Sequence, residues 1–71
     1  DDPVVDEIRE VIAESPIKAT ITDLHVWHVG KGKYSVIISL LSDEEVDPEY
    51  FKQRLSIHEE LVHITVEINR S

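Results

Sequence analysis

Hydrophobic and polar positions along the chain follow two periods in turn, and the switches between them mark out five elements. Val4, Ile8, Val11 and Ile12 recur at helical spacing, with Asp2-Pro3 ahead of them as an N-cap followed by proline at the first helical position. Ser15-Pro16 ends this helix, because the residue before a proline disfavours the helical region. From Ala19 the period drops to two: Leu24 and Val26 alternate with Asp23, His25 and Trp27, the pattern of a half-buried strand. Gly30-Lys31-Gly32 supplies positive-φ residues for a tight hairpin, and the β-branched run Tyr34 to Leu41 makes a second, antiparallel strand. Beyond the acidic loop Ser42 to Asp47, Asp47-Pro48 repeats the cap-and-proline signal. Phe51, Leu55, His58 and Val62 then lie at helical spacing, with Tyr50, Ile57 and Leu61 widening the apolar face of a second helix. Finally Ile64, Val66 and Ile68 alternate with His63, Thr65, Glu67 and Asn69, which predicts a third half-buried strand.

The order αββαβ predicts an α+β, ferredoxin-like domain that lacks the first strand of that arrangement, with a three-stranded mixed sheet. A crossover through the second helix sets strand three parallel beside strand two and puts both helices on one face. Leu24, Val26, Ile64, Val66 and Ile68 should line that covered face. The other face has no covering element. By strand parity it carries Asp23, His25 and Trp27, then Ser35, Ile37 and Ser39, then His63, Thr65 and Glu67.

Composition narrows the function classes. Seventy-one residues make one domain, and a chain this short buries only about 60% of the surface it exposes when unfolded. With no cysteine to staple it, oligomerisation is a natural remedy. Seven basic against fifteen acidic residues leave a net charge of −8, which excludes nucleic acid and suits divalent cations. Without thiolates, imidazole and carboxylate are the strong metal ligands available. The longest apolar stretch, Val36 to Leu41, is interrupted by Ser39 and is too short to span a bilayer, so the residues read as soluble. No signal peptide heads the chain, and the absence of methionine leads to the expectation that residues 1–71 are a single domain of a longer protein.

The mixture of imidazoles, carboxylates and a tryptophan on the open face is its chemical content. His25 and His28 have opposite parity and should point to opposite faces. His25 and His63 share a face, but with strand two between them their backbones are about 9.6 Å apart. One ion could join them only over Ser35 or Ser39, with Glu67 completing the site; an ion shared between two protomers is the easier arrangement. Trp27 is the candidate anchor of a dimer interface. His58 reads as a partly buried structural histidine on the second helix, and His28 as a hairpin residue. The acidic run Asp43 to Asp47 lacks the glycine and spacing of an EF-hand. No serine has a glycine elbow and no glycine loop would cradle a phosphate, so no enzyme is predicted.

Asp23-Leu24-His25-Val26-Trp27, followed by the hairpin and the run Tyr34 to Leu41, resembles the cytoplasmic C-terminal domain of cation diffusion facilitator transporters. The final strand, His63 to Ile68, resembles that family's last strand, and the likeness covers nearly the whole domain. More loosely, the compact turn Gly30 to Tyr34 and the short terminus are similar to the bacterial cobalt/nickel efflux branch. The resemblance implies the same αββαβ fold in a homodimer, attached to a transmembrane domain of the same chain on the cytoplasmic side of the cell membrane. It also implies binding of a divalent ion (zinc, cobalt or nickel) near the dimer interface, drawing the lobes together. Thr22 and Ser39 stand where many members carry histidine, Asn69 stands where an acid is frequent, and no cysteine tail follows Arg70. The usual interface site is therefore depleted.

The expected function is a regulatory and dimerising domain of a divalent-cation efflux transporter, sensing metal through His25, His63 and Glu67. Two alternatives stand beside it: a purely structural dimerisation domain that binds no metal, and a free-standing metallochaperone-like module. Metal binding through imidazole should weaken in acid, where the ligand protonates.

Overall fold

Both helices follow from their end signals and apolar stripes. In the computed structural model, which describes residues 3–71, α1 spans Pro3–Ala13 and buries Val4, Ile8 and Ile12. The cap expected at Asp2 lies outside the described residues. Past the helix, the Ser15 hydroxyl accepts a hydrogen bond from the Ile17 backbone N–H at 3.1 Å, fixing the turn that the proline begins. α2 spans Pro48–Ser56. Asp47 caps it, its carboxylate accepting from the Glu49 N–H at 2.9 Å. Glu49 in the first turn and Arg54 in the last complement the helix dipole.

The strands β1 (Thr20–Gly30), β2 (Lys33–Ser42) and β3 (Leu61–Arg70) form one sheet in the order β1-β2-β3. β1 and β2 pair antiparallel, while β2 and β3 pair parallel, as the α2 crossover requires. The central strand supplies the middle of the core. Val36, Ile38 and Leu40 alternate inward and are buried together with Ile8, Phe51 and Leu55. Burying such side chains contributes roughly 1.5–3 kcal/mol each. Leu24, Val26, Val66 and Ile68 pack at the margin of this core and Ile64 lies within it, as their parity predicts.

Three local features differ from the sequence reading. First, α2 stops at Ser56, so His58 stands in the following turn and Leu61 and Val62 belong to β3. Apolar spacing alone favours a longer helix, but the chain is recruited into the sheet: the Tyr34 N–H donates to the Glu60 carbonyl at 2.7 Å. The Leu61 N–H also donates to the His58 carbonyl at 2.9 Å, closing the turn. Second, of the two hairpin glycines only Gly32 has a positive φ, at 68°, while Gly30 remains in β1. Third, β1 is bulged twice. Ile21 faces Leu40 and Asp23 faces Ser39, leaving Thr22 as an extra residue; Val29 is a second, between His28 and Gly30. The first bulge is why Ile21 and Leu24, three positions apart, both pack on the core. The Thr22 hydroxyl is occupied there, donating to the Ser39 carbonyl at 3.2 Å.

Candidate functional site

The register places the open-face side chains in rows across the sheet. Trp27, Ser35 and His63 form one row, His25, Ile37 and Thr65 the next, and Asp23, Ser39 and Glu67 the third. Trp27 is 44% exposed and Ile37 42%, while Ser35, flanked by tryptophan and imidazole, is only 7% exposed. Large apolar surface at the middle of a face with no covering element is what an interface anchor requires. His28 pairs with Tyr34 on the opposite face, and their rings lie 4.4 Å apart, so the alternation of His25 and His28 holds.

Each expected ligand already has a local partner or none. His25 Nε2 lies 3.0 Å from Asp23 Oδ2, and both side chains are more than half exposed. Glu67 accepts from the Asn69 amide at 3.1 Å. His25, His63 and Glu67 share the open face but occupy three different rows. His63 and Glu67, four positions apart on β3, are separated by about 13 Å along the strand. A protomer does not bring these three to one point; a common ion would need donors from a second protomer.

The helix side carries a grouping that sequence reading missed. Glu7 of α1, His58 of the turn after α2 and Glu60 just before β3 present ligand atoms all within 4.8 Å of one another. Among the described residues this is the one group of three or more metal-capable side chains. His58 Nδ1 stands 3.3 Å from Glu7 Oε1. The Glu7 carboxyl is raised above its usual pKa, first by a proton shared with Glu60, then by desolvation and the Glu60 charge; His58 pulls it the other way. No local motif announces this group, because its first member precedes the others by some fifty positions in the sequence. Only the docking of α1 beside α2 assembles it.

An αββαβ domain with both helices on one face and a bare sheet face bearing histidine, acid and tryptophan is the architecture expected of the C-terminal domain of a cation efflux transporter. No family model matches the chain. Over 72 aligned residues it is 29% identical to the metal cation efflux system protein CzcD of Cupriavidus metallidurans. It is equally similar to the cation efflux system protein CzcD of an Alcaligenes species. Each alignment covers 94% of this chain but 23% of the relative, so the chain spans about a quarter of the length of these curated relatives. Among solved structures it matches the metal-bound C-terminal domain of the CzcD transporter from Cupriavidus metallidurans, with a TM-score of 0.66 and 25% identity. That match covers 96% of this chain and 99% of the solved domain. The chain is thus similar in sequence to CzcD cation efflux proteins, and its fold is that of the CzcD C-terminal domain. These relatives are transport proteins rather than enzymes. Among the described residues no helix is long and apolar enough to cross a membrane.

Proposed function

We propose that this chain is the regulatory, dimerising domain on the cytoplasmic side of a divalent-cation efflux transporter, with its open sheet face turned toward a second copy. The observation that carries this reading is the near-complete overlap with the metal-bound CzcD domain: 99% of that domain is matched by 96% of this chain. The exposed row of Trp27 and the neighbouring Ile37 supports it, since two such faces together would bury apolar surface that a protomer leaves in water.

Metal enters this reading as a bridge. His25 with Asp23 on one protomer and His63 or Glu67 on the other would supply an imidazole and carboxylate donor set that one sheet alone cannot converge. An ion held this way favours the associated or closed form only by its difference in affinity between the two states. Zinc, cobalt and nickel suit such donors. Sedimentation velocity on the 71-residue chain tests the proposal. A dimer that becomes more compact with zinc is expected, and a chain that stays monomeric at high concentration with or without metal would end it.

A second reading is favoured by a specific observation. Ser35 lies between Trp27 and His63, and Ser39 between Asp23 and Glu67, so β2 offers no strong ligand beside these residues on this face. The domain would then hold a transporter dimer together without sensing metal. In that case Trp27→Ala weakens the dimer, whereas His25→Ala and His63→Ala leave its zinc response unchanged.

A further inference from the structure

We propose that Glu7, His58 and Glu60 form a divalent-cation site on the helix side of the sheet, tying α1 to the turn between α2 and β3. This inference does not depend on the dimer reading, because all donors come from one protomer and lie away from the open face.

The first support is geometric. In a tetrahedral site with bonds of about 2.0–2.1 Å, neighbouring donors are about 3.3–3.4 Å apart. His58 Nδ1 and Glu7 Oε1 are separated by 3.3 Å, and Glu60 brings its carboxylate within 4.8 Å of both. The second is rigidity. Glu7 adjoins Ile8, which is fully buried and fixes this turn of α1. His58 and Glu60 sit in a turn pinned at both ends: the His58 N–H donates to the Leu55 carbonyl at 3.1 Å, and the Glu60 carbonyl receives the Tyr34 N–H at 2.7 Å. Donors are thus carried on two fixed stretches of backbone, one turn of α1 and the pinned turn before β3, rather than on loose loops.

The third is charge. Two carboxylates face one another here, and among the described residues no lysine or arginine forms an ion pair with either. The imidazole is their sole basic companion, and a neutral imidazole leaves two negative charges for a cation to neutralise.

One nitrogen and two oxygens suit a first-row ion of intermediate softness, namely Zn²⁺, Co²⁺ or Ni²⁺. Calcium and magnesium demand more oxygen donors than this group presents. Three protein ligands leave at least one position for water, so the ion should exchange readily. Its structural effect is local: α1, otherwise held through Val4, Ile8 and Ile12, gains a direct bond to the turn that feeds β3.

The test uses zinc itself and the 71-residue chain. Calorimetric titration would compare wild type, His58→Ala, the double variant Glu7→Gln/Glu60→Gln and the open-face double variant His25→Ala/His63→Ala. Zinc affinity at one site per protomer should fall about tenfold or more in the first two variants and persist in the third. The glutamines are near-isosteric and partly exposed, and circular dichroism would check that their folding is intact. In a parallel NMR titration with substoichiometric Mn²⁺, amides of Glu7 and His58 to Glu60 should broaden first. Wild-type affinity in His58→Ala, or broadening confined to the open face, would overturn the proposal. Either result leaves the dimer reading standing, since that one is decided by sedimentation and Trp27→Ala.

Discussion

Gly32 has a φ of +68° and nothing within 4 Å of where a Cβ would stand, so any penalty for a side chain there is one of backbone strain alone. The left-handed region costs an L-residue roughly 1–2 kcal/mol, partly offset by a stiffer unfolded chain. Gly32→Ala should therefore destabilise the domain by about 1 kcal/mol in urea unfolding. Gly30→Ala should be nearly neutral, because its Cβ would meet only Lys33 side-chain carbons at 3.9 Å. The sequence marks both glycines as turn residues, but Gly30 pairs with Lys33 at the end of the ladder and only Gly32 takes the positive φ, a division that depends on the strand register and not on local composition. Trp27 is the complementary case. Its 44% exposure means Trp27→Ala should cost the protomer little while raising the dissociation constant of a dimer, measured by sedimentation equilibrium.

Elements in so small a domain depend on one another. α2 has nine residues, fewer than an isolated helix needs to be stable in water, so its cap and its two buried side chains decide whether it forms. Removing the cap with Asp47→Ala should cost about 1 kcal/mol. Leu55→Ala should cost about 2–5 kcal/mol, a large part of the total stability of a chain this size, and chemical denaturation should show the protein partly unfolded in water. Element types and order were legible because the periods of helix and strand differ. The end of α2 was not, because His58, Leu61 and Val62 continue helical spacing while a hydrogen bond from Tyr34 recruits the same stretch to the sheet. Long-range pairing overrode a local pattern. Ser42 shows the same dependence: its buried hydroxyl donates to the Lys18 carbonyl at 2.8 Å and accepts from the Glu44 N–H at 3.2 Å. No local periodicity could have shown that it joins the end of β2 to the connection after α1.

For the molecule as a whole, binding and folding are linked. An ion that binds the folded chain and not the unfolded one stabilises it by about 2.7 kcal/mol at a hundred times its dissociation constant. In a domain of this length that corresponds to a rise in melting temperature of about 10 °C or more. Scanning calorimetry should show the rise with zinc and its loss on adding a chelator. The open-face residues could be read from strand parity, since side-chain direction follows from alternation. Their separation into different rows needed the register, and the group of Glu7, His58 and Glu60 needed the packing of one helix on the other. The two bulges in β1 have a further effect. β1 forms an outer edge of the sheet, with backbone groups able to template another strand. An extra residue near each end bends that edge out of register, so two copies meeting edge to edge cannot extend a flat ladder into a fibril. Deleting Thr22 would restore plain alternation between Ile21 and Asp23 and straighten the edge. The cost would then appear as aggregation on storage rather than as lost stability of the fold.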